Sequence, residues 1–188
     1  MNLPNKLTIV RMVLTPVFLF FFMAPFIPYH YFIGLIVYVA GCITDFFDGK
    51  IARKYNLITT FGKLADPVAD KMLTTAALLA LMNDGLCSLY IVFIVLTREF
   101  AVTSVRLAAS AQGVVIPANI WGKAKTVSQM VSTILIMLLV AISSLGVLPE
   151  SFPLNVISQT LLWITAVLAV VSGVIYIKDG VKQIDFSK

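Results

Sequence analysis

The sequence predicts an all-α, polytopic membrane protein: six transmembrane helices, a short N-terminal interfacial segment and both termini in the cytoplasm. Of its 188 residues, 60% are hydrophobic and 12% are charged, with a mean hydropathy of +0.98. A soluble domain averages about 45–50% apolar and about 25% charged residues. Long uncharged runs separate the charges, and Lys and Arg fall on alternate connections or at the helix ends that lead to them. At this length we expect residues 1–188 to form a single membrane domain.

The first uncharged run predicts two helices rather than one. It extends from Met12 to Thr44, 33 residues, which would form a single helix about 50 Å long across a hydrocarbon core of about 30 Å. Pro25, Pro28 and His30 mark the turn between the two helices, with His30 as a surface-loop residue. No small-residue cleavage pattern follows the first apolar run, so we expect an uncleaved first helix after the interfacial segment.

The later uncharged runs predict four further helices. The six predicted helices cover Leu7 to Pro25, Tyr31 to Tyr55, Leu64 to Met82, Cys87 to Ser110, Ile120 to Ser144 and Val156 to Lys178. Pro67 fits the first turn of the third helix, with Asp66 as its N-cap. Cys42 and Cys87 lie in apolar segments and are expected to be small buried side chains.

The positive charges predict the orientation of the chain. The connections near residues 26–30, 83–86 and 145–155 contain no Lys or Arg, and all 14 of these residues lie towards the other end of the helices. Because cytoplasmic segments are enriched in Lys and Arg, both termini are expected in the cytoplasm of a multi-pass cell-membrane protein. The net charge of +5 then indicates contact with anionic membrane lipids rather than nucleic acid.

Several ionisable residues are predicted to lie inside the membrane. Asp45, Asp70 and Arg98 each lie 13 or 14 residues from the outer end of their helix, about 20 Å along the axis. Asp48 and Asp66 are about one turn nearer the cytoplasm. Because charges at this depth are costly without water or partners, we predict a polar cavity open to the cytoplasm. In the alternative, ion pairs merely hold the helices together. Four carboxylates on two helices are more than that role requires, so the cavity is the favoured interpretation.

The four aspartates predict a site for divalent metal ions. Asp45 and Asp48 are spaced i, i+3, and Asp66 and Asp70 are spaced i, i+4, so each pair shares one helix face. Clustered carboxylates repel one another, and a hard divalent cation relieves that repulsion. Oxygen ligands suit Mg²⁺, Mn²⁺ or Ca²⁺, whereas zinc and copper prefer His or Cys. Two such ions are common in phosphoryl-transfer sites.

These aspartates belong to a longer motif with small residues between them. It reads Asp45-Phe-Phe-Asp48-Gly49-Lys-Ile-Ala52-Arg53, then eight residues, then Gly62-Lys-Leu-Ala-Asp66-Pro-Val-Ala-Asp70. All eight defining positions match the signature of the CDP-alcohol phosphotransferase family, which the chain resembles over nearly its whole length. Members of that family transfer a phosphatidyl or related group from a CDP-linked donor to an alcohol and release CMP.

The resemblance implies a function for each motif residue. Two ions, Mg²⁺ or Mn²⁺, are expected on Asp45, Asp48, Asp66 and Asp70, and Asp70 is the expected catalytic base. The expected CDP-binding residues are Asp45, Gly49, Ala52, Arg53, Gly62 and Asp66. Asn5 and Thr8 are candidates for contact with the nucleotide, or alternatively for capping the interfacial helix. The resemblance also implies a homodimer and CDP-diacylglycerol as donor.

Four cations predict the acceptor. Arg98, Arg106, Lys123 and Lys125 lie towards the cytoplasmic side, and an anionic acceptor needs such a group to hold its phosphate near carboxylates. Positive-inside topology also explains Arg106 and Lys123, but Arg98 is too deep, and adjacent helical positions disfavour its pairing with Glu99. The arrangement resembles the glycerol-phosphate branch of the family, which implies sn-glycerol 3-phosphate as acceptor and phosphatidylglycerol phosphate and CMP as products.

Other functions stay open at this point. Within the family, the acceptor could instead be serine, inositol phosphate or phosphatidylglycerol. A divalent-cation transporter or channel would use the acidic cluster as an ion path and show ion flux without nucleotide. A structural membrane subunit would release no CMP.

Overall fold

The computed structural model describes residues 2–55, 59–114, 116–117, 119–149 and 151–182, without the side chains of residues 48, 49, 52–54, 60, 61, 63 and 64. Within these ranges the chain forms six α-helices and no strand. The helices are α1 (Leu3–Phe22), α2 (His30–Lys54), α3 (Thr60–Asn83), α4 (Leu89–Ala111), α5 (Ile120–Ser143) and α6 (Leu154–Val181). The predicted all-α class is confirmed.

Four stretches of the described chain are long and apolar enough to cross a membrane. They are α1, α5, α6 and the first part of α2, His30–Phe47. The other two helices, α3 and α4, carry charged residues along their length, which lowers their hydropathy. The structure therefore supports a membrane protein, and the six predicted spans remain a proposal.

The first helix begins earlier than predicted, at Leu3 rather than Leu7. The Asn2 side chain accepts a hydrogen bond from the backbone N–H of Asn5 at 3.2 Å and thereby caps α1. Pro4 lies in the first turn, where its missing N–H would have no helical partner in any case. The residues expected to lie along the interface are therefore the first turn of α1.

The turn between α1 and α2 lies where the prolines predict it. Helix α1 ends at Phe22, three residues before the predicted end at Pro25, and α2 begins at His30. His30 was expected in a surface loop, but it is half-buried as the first residue of α2. Its Nδ1 lies 2.9 Å from the Phe22 carbonyl oxygen. This contact joins the end of one helix to the start of the next.

The third helix also starts earlier than predicted. Thr59 caps it, with the hydroxyl oxygen accepting from the N–H of Gly62 at 3.0 Å. Asp66 is therefore not the N-cap, and Pro67 lies inside the helix rather than in its first turn. Because the Thr59 hydroxyl already accepts a hydrogen bond from the first turn of α3, the Asp66 carboxylate is not needed as a cap. It is left for contacts with other helices.

An apolar core holds the bundle together. Phe18, Phe22 and Tyr38 pack their rings between α1 and α2, with ring centroids 5.5 Å apart in each neighbouring pair. They continue into buried Leu, Ile, Val and Ala side chains of α3, α4, α5 and α6. A second, smaller cluster around Val102 and Tyr176 joins the end of α4 to the end of α6. Cys42 and Cys87 are free thiols, half-buried and buried.

Polar contacts between helices occur at both ends of the bundle. Asn155 of α6 donates to the Gly85 carbonyl at 2.7 Å, next to the connection between α3 and α4. At the opposite end, contacts join the start of α1 to α3, and the end of α4 to α6. We call this second end the charged end, because the helices that flank the connections 55–59 and 112–119 carry Lys and Arg there, among them Lys54, Arg106 and Lys123.

Candidate active site

The start of α1 binds the start of α3 through two side-chain hydrogen bonds. Thr8, fully buried, donates to Asp66 Oδ1 at 2.5 Å and also lies 3.1 Å from the Pro4 carbonyl oxygen. Thr59 donates to Asn5 Oδ1 at 2.9 Å. Neither Asn5 nor Thr8 caps α1, so the capping alternative is wrong. Both residues instead contact the segment that carries the predicted CDP-binding residues.

Gly62 lies in the crowded space between these residues. A Cβ atom at this position would be 3.1 Å from Asn5 Oδ1, 3.3 Å from Thr59 Oγ1 and 3.7 Å from Asp66 Oδ2. The absence of a side chain thus lets α1 approach α3 and leaves the Asp66 carboxylate reachable. Gly62 was predicted as a CDP-binding residue, and its position next to Asp66 is compatible with that role.

A buried arginine on α1 pairs with the second helix. Arg11 Nη1 lies 2.7 Å from Asp45 Oδ1; the Arg11 side chain is fully buried, whereas that of Asp45 is 51% exposed. Sequence reasoning used Arg11 only as a sign of orientation. Its position about two turns inside the first helix was the available signal, because a charge at that depth requires a partner.

The predicted metal ligands are only partly described. Asp70 lies one turn beyond Asp66 on α3 and close enough to Asp45, Arg11, Glu99 and Lys125 to feel their charges. Among the side chains that the structure describes, no group of three His, Cys, Asp or Glu converges on one point. The structure describes Asp48, the fourth predicted ligand, only as backbone of α2, and the same holds for Gly49, Ala52 and Arg53.

The donors that are described suit a hard divalent cation. They are carboxylate oxygens without imidazole or thiolate, and Asp45 and Asp70 bring like charges near each other. The Asp45 side chain is half-exposed, and Asp66 is half-buried with its Oδ2 beside Gly62. The chemistry of these residues therefore fits the predicted ions.

Three charged residues form a compact group between α4 and α5. Arg98 Nη1 and Lys125 Nζ both contact Glu99 Oε1, at 2.9 Å and 2.5 Å. The expectation that Arg98 would not pair with its neighbour is wrong: its guanidinium reaches the Glu99 carboxylate, and its stem packs beside Gly173 of α6. From the sequence, Glu99 is considered only as a disfavoured partner of Arg98 and is not among the predicted site residues.

The other two predicted acceptor residues lie nearer the helix ends. Arg106 Nε donates to the Tyr176 hydroxyl at 3.3 Å, and its guanidinium lies 5.6 Å from the centre of that ring. Tyr176 also lines a cleft of about 420 Å³ with Asn119, Asp179 and Lys182. Lys123 is exposed at the start of α5. The structure thus places Arg98 and Lys125 together, with Arg106 about two turns further along α4.

A second cavity lies away from these residues. An apolar groove of about 660 Å³ follows α6 between Asn155 and Leu168. Its lining contains no ionisable side chain and none of the predicted site residues.

Comparison with known proteins agrees with the motif. The family model for CDP-alcohol phosphatidyltransferase matches residues 1–171. A Bacillus subtilis protein named CDP-diacylglycerol–glycerol-3-phosphate 3-phosphatidyltransferase is 38% identical over 92% of this chain and 91% of its own length. A Rickettsia bellii protein of the same name is 36% identical over 94% of both chains. A Mycobacterium tuberculosis protein, named probable phosphatidylglycerophosphate synthase, is 37% identical over 97% of this chain and 83% of its own length.

Proposed function

The chain belongs to the CDP-alcohol phosphatidyltransferase family, and we propose that it transfers the phosphatidyl group of CDP-diacylglycerol to sn-glycerol 3-phosphate. The products are phosphatidylglycerol phosphate and CMP, a step of phospholipid biosynthesis. One observation carries the choice of acceptor: Asp70 lies near enough to both Asp45 and the Glu99–Lys125 pair for their charges to act on it. A base beside both a carboxylate cluster and buried cations suits an acceptor with one hydroxyl and one phosphate.

The donor side of the site uses the junction of α1, α2 and α3. Asp45, Asp48, Asp66 and Asp70 would hold two divalent ions, Mg²⁺ or Mn²⁺. Bound there, such ions neutralise phosphate charge and make the diphosphate a better electrophile. Gly49, Ala52, Arg53 and Gly62 would bind CDP together with Asp45 and Asp66. Thr8 supports that site by fixing Asp66 with a hydrogen bond, and Asn5 lies beside Gly62.

Asp70 would act as the base. It accepts the proton of the primary hydroxyl of sn-glycerol 3-phosphate, and the hydroxyl oxygen forms a bond to the phosphorus that carries diacylglycerol. The bond from that phosphorus to the bridging oxygen breaks, and CMP leaves with the electron pair. The phosphate of the acceptor is held by Arg98 and Lys125, with Arg106 and Lys123 nearer the charged end.

The setting of the reaction follows from the charge distribution. We place the charged end of all six helices, and with it the active site and both termini, on the cytoplasmic face of the cell membrane. Water-soluble glycerol phosphate then enters from the cytoplasm, while the acyl chains of the donor stay in the bilayer. The single domain over residues 1–188 and the homodimer are part of the same proposal.

An acceptor panel tests the proposal. The purified full-length protein is supplied with CDP-diacylglycerol and Mg²⁺, and CMP release is measured with glycerol 3-phosphate, serine, inositol phosphate, phosphatidylglycerol and unphosphorylated glycerol. We expect turnover with glycerol 3-phosphate only. If another alcohol turns over while glycerol 3-phosphate is inert, the proposed acceptor is wrong.

Two variants make the assay specific. Asp70→Asn should abolish CMP release with every acceptor. The matched control is Asp84→Asn, which changes an aspartate in the connection after α3, at the opposite end of that helix from Thr60. It should leave turnover at the wild-type level. Equal loss of activity in the two variants would mean that the assay reports general damage rather than the site.

A further inference from the structure

One half-buried carboxylate, Glu99, has no part in the reaction described above. Arg98 Nη1 and Lys125 Nζ contact the same Glu99 oxygen, Oε1. The side chains of Arg98 and Lys125 are only 11% and 4% exposed, so bulk water solvates neither cation. Two like charges repel strongly where the dielectric constant is low, and a carboxylate between them offsets that repulsion. Glu99 therefore keeps the two cations side by side.

Arg98 keeps donor capacity after binding Glu99. Its Nε is buried and has no hydrogen-bond partner among the described residues. Its Nη2 points to the first turn of α5, where a Cβ on Gly122 would be 3.5 Å away. The three charges together leave one surplus positive charge. An incoming phosphate would thus meet a preassembled pair of cations with an unused N–H group.

We propose that Glu99 is a positioning residue for the acceptor phosphate: it holds Arg98 and Lys125 together before the acceptor binds. This inference rests on the proposed function. The group lies close to Asp70, which feels the charges of both Glu99 and Lys125. When the phosphate of glycerol 3-phosphate binds the two cations, the primary hydroxyl of the same molecule would therefore lie near Asp70. Glu99 itself does not touch the substrate, and its effect is exerted through the geometry of the two cations.

The test compares the KM values of the two substrates in the same variant enzyme. In Glu99→Gln the amide carries no charge to offset the cations, and we expect the KM for glycerol 3-phosphate to rise about tenfold or more. The KM for CDP-diacylglycerol should stay within about twofold, because α1, α2 and α3 form the donor site. Glu99→Asp keeps the charge but is one methylene shorter, so its KM for glycerol 3-phosphate should lie between those of Gln and wild type. Asp84→Asn is the control and should change neither KM.

A double mutant identifies the route of the effect. If Glu99 acts through Lys125, adding Glu99→Gln to Lys125→Met should raise the KM for glycerol 3-phosphate less than in the wild-type background. A KM for glycerol 3-phosphate that falls or stays unchanged in Glu99→Gln overturns the inference. A parallel rise of both KM values indicates a purely structural role and overturns it as well. If Glu99→Gln does not fold, Glu99→Asp provides the same comparison of the two KM values.

The failure of this inference differs from the failure of the proposed function. A wild-type enzyme that is inert with glycerol 3-phosphate refutes the proposed function and the role of Glu99 with it. A wild-type enzyme that uses glycerol 3-phosphate, together with an unaffected Glu99→Gln variant, refutes only the role of Glu99.

Discussion

Replacing Gly173 with alanine should weaken the binding of the acceptor without affecting the donor. A Cβ atom at position 173 would lie 2.9 Å from Cγ of Arg98, whereas ordinary contacts begin at 3.4 Å. Cγ belongs to the stem of the side chain, so Arg98 must move by about half an ångström or more, and helix α6 cannot give way easily because it is packed. The hydrogen bond from Arg98 to Glu99, now 2.9 Å, would then approach the 3.5 Å at which such bonds fail.

The size of the effect follows from that bond. A hydrogen bond to a charged group contributes about 1.5–3 kcal/mol. If the displaced guanidinium loses a comparable interaction with the acceptor phosphate, the KM for glycerol 3-phosphate should rise about 10- to 100-fold, since 1.4 kcal/mol is about tenfold. Overpacking should also cost about 1–3 kcal/mol of folding stability. Steady-state CMP release, with each substrate varied in turn, measures both KM values.

A second glycine provides the control for steric damage. A Cβ on Gly34 would lie 2.9 Å from Phe22 Cβ and Cδ2, at the end of the bundle opposite the charged end. Gly34→Ala should therefore lower the melting temperature like Gly173→Ala but leave both KM values unchanged. A folded Gly173→Ala enzyme with a KM for glycerol 3-phosphate within twofold of wild type would refute the placement of Arg98 in the acceptor site.

Three further predictions concern other parts of the site. Thr8→Val removes the hydrogen bond to Asp66 and should raise the KM for CDP-diacylglycerol several-fold, about 1 kcal/mol; an unchanged value would exclude a supporting role for Thr8. Asp70→Asn should abolish turnover but retain CDP-diacylglycerol binding, whereas Asp45→Asn should weaken binding of both nucleotide and Mn²⁺, as measured by calorimetry. Near-normal turnover in Asp70→Asn would show that Asp70 is not the catalytic base. Arg106→Ala should raise mainly the KM for the anionic acceptor, about tenfold, and a change in kcat alone would contradict its proposed contact with phosphate.

The helical architecture was predictable because it depends on properties of single segments. Uncharged runs too long for one span, the prolines near residue 25 and the alternation of charged connections predict six helices, and the structure contains six within its described residues. The errors lie at helix ends. Asn2 and Thr59 are the N-caps of α1 and α3, but other polar residues nearby were equally suitable by residue type. Which side chain reaches the free N–H groups depends on backbone geometry.

The proposed acidic part of the site rests mainly on the sequence. Spacings of three and four residues place Asp45 with Asp48, and Asp66 with Asp70, on one face of a helix whatever the rest of the chain does. The structure adds the partners on α1, which lie far away in sequence. Thr8 and Asp66 are 58 positions apart, and no local pattern relates them.

The sequence by itself determined the membrane class, the helices and the motif of the family, because hydropathy, turn residues and helical spacing act over one or two turns of chain. Only the tertiary structure decided which charges meet: Arg11 with Asp45, and Arg98 and Lys125 with Glu99. The physical reason is that a buried charge takes its partner from whatever neighbouring helices bring within about 3 Å, and that choice depends on how the helices pack and on how long side chains bend between them.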